Sequence, residues 1–265
     1  MTEIVDFARK LAREAGGLLA EKLTQHNPVF YKGDIDLVTE ADRMSEAFIL
    51  TEISRRYPEH GILSEESAAK NEQAVMRWII DPLDGTTNYA HGFPFFCVSI
   101  AFERDGIVEV GVIYDPTRDD LFTASRAGGA YLNGKKLQVS ALTDLSRSLL
   151  ATGFPYDIRT SNENNLNFFN AMAVRAQAIR RPGAAALDLA YLASGRIDGF
   201  WELKLKPWDT AAGCLMVEEA GGVISDMKGK PWNLFSPGLV ASNGLIHGQM
   251  MEVIKSVRRE ERGDR

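Results

Sequence analysis

Cysteine is scarce in this chain: two in 265 residues, Cys97 and Cys214, each inside an apolar run. That excludes a disulfide framework or a thiolate zinc site, and it points to buried thiols in a reducing cytoplasm. Histidine is almost as rare, and His26, His60, His91 and His247 fall at no metal-ligand spacing, which leaves surface or capping roles. No apolar run approaches ~18 residues, so no membrane-spanning helix is expected. Residues Met1 to Asp6 place no basic stretch before an apolar core, which argues against a signal peptide. A basic excess is missing too: 30 Lys and Arg against 36 Asp and Glu give a net charge of −6. A broad cationic face for direct nucleic-acid binding is therefore not expected. The pattern Gly-x4-Gly-Lys-[Ser/Thr] is absent, so a P-loop nucleotide hydrolase is excluded. There is no internal repeat.

What is there is ordinary globular composition, 45% hydrophobic and 25% charged, in a chain long enough for a substantial core. Residues 3–24 carry Ile4, Phe7, Leu11, Ala15, Leu18 and Leu19 at helical spacing, with Pro28 and Gly33 beyond it as stops. A second helix is predicted from Glu40 to Arg56, with Met44, Phe48 and Ile53 facing inward and Pro58 as the stop. Gly61 to Ser64 reads as a short strand ending at Glu65-Glu66. Phe95 to Glu103 and Ile107 to Tyr114 read as strands about the Asp105-Gly106 turn. Asn133-Gly134 predicts a hairpin between Ala130–Leu132 and Leu137–Val139, so the middle is an antiparallel meander. Beyond residue 141 the pattern changes to helices at about 161–174, 184–194 and 208–220 between short strands. The division expected is an α+β part over 1–140 and an α/β part over 141–265, forming one catalytic unit. The tail from Arg258 to Arg265 reads as frayed.

The run Asp81-Pro82-Leu83-Asp84-Gly85-Thr86-Thr87-Asn88 carries the most chemistry. Trp78-Ile79-Ile80 before it reads as a buried strand that ends on the Asp81 carboxylate, with Pro82 barring further ladder bonds. Two acids, the free carbonyl of Leu83, a glycine and two threonines where a helix would open can hold a divalent ion and a phosphate together. The same string also makes a plain Asx turn. Other acids sit at element ends: Asp42, Glu65, and Asp209 in Pro207-Trp208-Asp209-Thr210. Singly, Asp42 could complement a helix dipole and Asp209 could be an N-cap. Asp34-Ile35-Asp36-Leu37-Val38 has the form of an aspartyl-nucleophile phosphatase motif, but Phe30 to Gly33 make a poor strand before it. Trp201, Trp208 and Trp232 suit core or pocket wall, and Arg180-Arg181 suits a solvated or interface pair over a phosphate clamp.

Three segments together resemble the inositol monophosphatase family of lithium-sensitive, metal-dependent phosphatases, in its bacterial branch. They are Leu63 to Ser67, Trp78 to Asn88, and Trp208 to Gly213 with Glu218 to Gly222. Asp36 to Asp42 and Ala185 to Ala190 add support. The resemblance implies a layered αβαβα sandwich of the inositol monophosphatase and fructose-1,6-bisphosphatase type. It implies two to three Mg²⁺ per site: Glu65, Asp81 and the Leu83 carbonyl for the first, Asp81, Asp84 and Asp209 for the second, and Glu65 beside a hydrated third. Asp42 and Thr86 match the pair that activates the attacking water. Gly85 and Thr86 match the phosphate cradle, and Asp84, Ala185, Glu202 and Asp209 match positions lining the alcohol side. The expected substrate is a small phosphate monoester, myo-inositol monophosphate first, with fructose-1,6-bisphosphate or adenosine 3′,5′-bisphosphate as alternatives. A homodimer and association with the transcription machinery are further implications. Ala184, where many relatives carry Ser or Thr, and the loop from Phe154 to Thr160 depart from the family pattern.

Overall fold

The computed structural model describes residues 1–23, 29–31 and 37–262. Helices α1 (Thr2–Leu23) and α2 (Glu40–Arg56) flank an antiparallel pair, β1 (Val29–Tyr31) and β2 (Leu37–Thr39). Then come β3 (Gly61–Ser64), β4 (Met76–Asp84), the short α3 (Thr86–Ala90), β5 (Cys97–Arg104), β6 (Ile107–Asp115), β7 (Asp120–Ser125), β8 (Gly129–Leu132) and β9 (Lys135–Lys136). The second half holds β10 (Leu149–Thr152), α4 (Leu166–Ala173), β11 (Ala178–Arg180), α5 (Ala185–Ala193), β12 (Gly199–Leu203), α6 (Pro207–Glu219), β13 (Val223–Asp226), β14 (Gly238–Ser242) and α7 (His247–Arg262). Strands β3 to β9 lie in chain order in a seven-stranded sheet, and a five-stranded sheet runs β11-β10-β12-β14-β13.

Period-two side-chain alternation sends each strand's residues to two different cores. On β4, Trp78 and Ile80 meet α1 and α2, while Ile79 faces the layer of α5 and α6. On β12, Phe200 faces that same central layer, while Trp201 joins α4 and α7 on the outer face. The result is five layers, helix–sheet–helix–sheet–helix, as the resemblance implied. Both cysteines are buried free thiols, Cys97 and Cys214. Burial of these contiguous apolar sets stabilises the fold at about 25 cal/mol per Å² removed from water.

Several local expectations need correction. β4 does not end at Asp81. It pairs Asp81 with Ser99, skips, and pairs again at Asp84 with Cys97, so one extra residue bulges on the β4 side. Pro82 has no N–H to offer the ladder, and the bulge re-aims the two acids on either side of it. The buried face of α2 is Ala41, Asp42, Ser45, Glu46, Ile49 and Ile53, whereas Met44 and Phe48 are only half-buried. The hairpin at Asn133-Gly134, both at positive φ (48° and 80°), closes in two residues, so the return strand is Lys135–Lys136 and not Leu137–Val139. Helix α4 starts only at Leu166, because Asn165 sits at φ 72°, outside helical space. The tail is helical to Arg262, and Arg258 lies 5.8 Å over the Phe168 ring. Its spacing of Met250, Met251, Val253, Ile254 and Val257 is an apolar helix face. β7 and β11 were not foreseen. His26, Pro28, Gly33 and Asp34 to Asp36 lie outside the described residues, as do 263–265.

Candidate active site

The β4 bulge organises the site. Asp81 is 1% exposed and Asp84 8%. Asp81 turns Oδ1 to the Leu83 N–H at 3.0 Å, closing an Asx turn around Pro82. The Leu83 carbonyl then accepts from the Thr86 hydroxyl at 3.1 Å. Between them Gly85 takes φ +95°, and a Cβ there would lie 2.9 Å from the Phe95 carbonyl, so only glycine fits. Helix α3 opens at Thr86, and its first N–H groups lack intrahelical acceptors as at any helix start.

Two long-range bonds attach this turn to distant helices. Asp84 Oδ2 accepts the Ala186 N–H at 2.7 Å, so a carboxylate from β4 caps α5, whose own N-cap residue is Ala184 with no side-chain acceptor. The Cys97 thiol lies 3.8 Å from the same oxygen. On the other side, Thr86 Oγ1 donates to Asp42 Oδ1 at 2.9 Å. Asp42 Oδ2 takes the Thr39 N–H at 2.7 Å and the Thr39 hydroxyl at 2.5 Å in the capping box of α2. The dipole-complementing reading of Asp42 and its link to Thr86 are thus both present. Asp42 is fully buried behind Thr86 and does not itself line the cavity.

That cavity, ≈ 500 Å³, gathers the other predicted residues. Glu65 enters from the end of β3, Asp81, Leu83 and Asp84 from β4, and Gly85 and Thr86 from the turn into α3. Ala185 comes from the start of α5, Glu202 from β12 and Asp209 from the first turn of α6. Asp209 is not the N-cap of α6, which is Lys206; from the third helical position its Oδ2 reaches back to accept the Lys206 N–H at 2.7 Å, alongside its place in the cavity. Gly153 sits against Glu202: a Cβ there would fall 2.1 Å from Glu202 Oε1.

The acids are held against their ordinary ionisation. Burial, then repulsion from Glu65, Asp84 and Asp209, pushes Asp81 well above the usual carboxylate range. Burial pushes Asp84 to about 7, with Glu65 adding to it and the Ala186 N–H opposing. Burial and then Asp84 push Asp209 to about 7. Burial, Asp209 and Asp84 push Glu202 to about 8, which Arg181 partly opposes. Burial also raises Asp42, against the hydrogen bonds from Thr39 and Thr86.

The donor set is carboxylate oxygen plus the Leu83 carbonyl, with no imidazole among the cavity residues. Such a set fits a hard divalent cation, which would relieve the repulsion that the protein leaves among these acids. Among the described residues no three His, Cys, Asp or Glu side chains close on one point, and a Mg²⁺ ion held by one or two carboxylates and waters does not need three. Asp81, Asp84 and Asp209 each turn one oxygen to a backbone N–H, which fixes the orientation of each carboxylate.

Sequence reasoning passed over other contributors. Arg181 lines the cavity, against its reading as a solvated pair with Arg180. Trp208 forms wall, as expected, and Lys204 and Lys206 add positive charge at the rim. Asn88 donates to the carbonyls of Phe95 at 2.7 Å and Pro182 at 2.8 Å, clamping α3 to the approach to α5. Asp188, 2% exposed on α5, is a further buried acid near Glu202 and Asp84. The signal for Arg181, Lys204, Lys206 and Asn88 was a basic or amide residue in or beside a motif. Asp188 stands in an apolar helix and gave none.

A layered α/β scaffold whose sheets and helices deliver carboxylates, one carbonyl and a helix start into a single cleft defines a class: phosphatases that work on small phosphate esters. The family model described as the inositol monophosphatase family matches residues 1–262. "Nus factor SuhB" of Escherichia coli K12 is 44% identical over 254 residues, covering 95% of each chain. "Inositol-1-monophosphatase" of Mesorhizobium japonicum is 43% identical over 248 residues, 93% of this chain and 91% of that one. The solved inositol monophosphatase from Anabaena (Nostoc) is 42% identical, with a TM-score of 0.88 and 96% coverage of each chain. The chain belongs to the inositol monophosphatase family.

Proposed function

We propose that the protein is a Mg²⁺-dependent phosphomonoesterase that hydrolyses myo-inositol monophosphate, or a closely similar polyol phosphate, to the free alcohol and phosphate. One observation carries this reading: Glu65, Asp81, Asp84 and Asp209 line one cavity, with Thr86 backed by Asp42 on its wall. Glu65, Asp81 and the Leu83 carbonyl would hold one Mg²⁺, and Asp81, Asp84 and Asp209 a second. Glu65 would serve a third, more hydrated ion. Bound ions supply charge neutralisation at the phosphoryl group and make water more acidic.

The chain's own groups supply the rest. Thr86 Oγ1 is positioned to accept a proton from an attacking water while passing its own to Asp42 Oδ1, 2.9 Å away. Asp42, raised by burial, is a better base near neutral pH than an exposed aspartate. The N–H groups of Gly85 and Thr86 bind the phosphate oxygens, and Asp84, Ala185, Glu202 and Asp209 contact the alcohol. Displacement is direct and in line, so no phosphoenzyme forms. Glu202 and Arg181 at the cavity wall suit a hydroxyl-rich leaving group.

Phosphate release from inositol-1-phosphate, fructose-1,6-bisphosphate and adenosine 3′,5′-bisphosphate, with and without Mg²⁺, tests this. Mg²⁺-dependent turnover greatest with the inositol ester is expected, together with inhibition by millimolar lithium and loss of turnover in Asp81→Asn. Equal rates in EDTA would overturn it. A second reading is favoured by 44% identity to a protein named "Nus factor SuhB": the protein also joins the transcription machinery. Co-purification with RNA polymerase or its elongation factors is its test.

A further inference from the structure

The inward face of α2, expected to present Met44, Phe48 and Ile53, carries three buried polar side chains at i, i+3 and i+4: Asp42, Ser45 and Glu46. Each reaches a different segment of the cleft. Asp42 holds Thr86. Ser45 donates to the Pro82 carbonyl at 2.8 Å, bracing the β4 bulge. Glu46, 6% exposed, accepts the Ser64 hydroxyl at 2.5 Å and the Glu66 N–H at 3.1 Å on Oε1, and the Ser67 hydroxyl at 2.6 Å on Oε2. Residues 64, 66 and 67 bracket Glu65, which lines the cavity.

We propose that Glu46 is a positioning residue: its carboxylate grips the chain on both sides of Glu65 and so aims Glu65 into the cleft. This rests on the reading of Glu65 as a cation ligand. The physical case is the cost of the arrangement. A carboxylate withdrawn from water loses its hydration, and a well-packed apolar side chain at that position of α2 would serve packing as well or better. What an apolar residue cannot do is accept three donors from one four-residue segment. β3 ends at Ser64, so Glu65 to Ser67 lie beyond the strand, and Glu46 provides acceptors for them there. Because α2 also holds Pro82 and Thr86, one rigid element sets the three cleft segments in register, as the outer hydrogen-bond partners of metal ligands do elsewhere.

The test is calorimetric titration of the resting protein with Mn²⁺, alongside amide exchange across residues 64–67. Glu46→Ala is expected to weaken Mn²⁺ binding by about 10–100-fold and speed exchange at Glu66. Glu46→Gln should stay within about threefold of wild type, because an amide oxygen still accepts from Ser64 and Glu66 and its NH₂ can donate to the Ser67 hydroxyl. Ser67→Ala leaves Glu46 in place and removes one grip, so several-fold weakening is expected even if Glu46→Ala does not fold. Wild-type Mn²⁺ affinity in Glu46→Ala and Ser67→Ala, with affinity lost in Glu65→Gln, overturns the positioning role alone. Wild-type affinity in Glu65→Gln overturns the ligand reading and the inference with it.

Discussion

Replacing Thr86 separates chemistry from architecture in this site. Its single hydroxyl proton lies between Asp42 Oδ1 at 2.9 Å and the Leu83 carbonyl at 3.1 Å, so removing Oγ1 deletes one hydrogen bond's worth of donation. The better-placed acceptor is a buried carboxylate, for which such a bond is worth about 1.5–3 kcal/mol. Thr86 is 5% exposed, so Thr86→Val keeps the buried shape and loses only the donor. Its expected cost is about 2 kcal/mol, or roughly 4–8 °C in Tm for a chain of this size. Thr86→Ala also loses a buried methyl, about 1 kcal/mol more. Turnover should fall further than stability, by about 10²–10⁴-fold in kcat, if Thr86 and Asp42 together accept the water proton. Thr86→Ser restores the donor and should recover most of both. Urea unfolding gives the first quantity, and phosphate release at saturating Mg²⁺ gives kcat and KM. A Val variant that is destabilised as expected but retains wild-type kcat would remove Thr86 from water activation and leave it as a structural clamp between α2 and α3.

Asp84→Asn should abolish turnover while the fold persists, since an amide oxygen can still accept the Ala186 N–H; phosphate release and a thermal melt together check it, and loss of folding would show the capping account wrong. Gly153→Ala puts a Cβ where Glu202 Oε1 now lies, at 2.1 Å, so Glu202 must swing aside; KM for the ester should rise several-fold while inhibition by inorganic phosphate, which lacks the alcohol, stays unchanged. His247 bridges Ser242 at 3.1 Å and Ser225 at 3.0 Å, and burial holds its pKa below the ordinary 6.5. The unfolded chain therefore takes up the proton first, so this residue's stabilisation is present above pH 6.5 and declines as pH falls below it. Unfolding free energies at pH 7.5 and 5.5 should differ less in His247→Gln than in wild type, and an equal difference would count against the account.

How much was legible varied with the range of the signal. The bounds of α2 were readable because Thr39 precedes an acid-rich first turn and Pro58 follows Tyr57. The Asp105-Gly106 hairpin was readable because both residues must take positive φ, and they do, at 52° and 78°. The inward face of α2 was not, because spacing rules assume that buried means apolar, and here the neighbours are hydrogen-bond donors from β3, β4 and α3. Nor was the β4 bulge: Pro82 marks where the ladder fails, but only the partner strand decides whether pairing resumes at Asp84. Arg181 and Lys206 were hidden because a charged residue looks the same in sequence whether it faces water or a cleft.

Residue types and local order determined the donors available to this protein: oxygen-rich turns, one glycine where no side chain fits, and acids at the ends of strands and helices. Short-range sterics and hydrogen bonding act within a few residues, so that much is written in the chain itself. Only the tertiary structure decided that Glu65, Asp84, Glu202 and Asp209 face one space, that Asp84 caps a helix 102 residues away, and that Glu46 steadies its distant neighbour. Those relations depend on two sheets packing across α5 and α6, a balance of burial summed over the whole core that no single segment encodes.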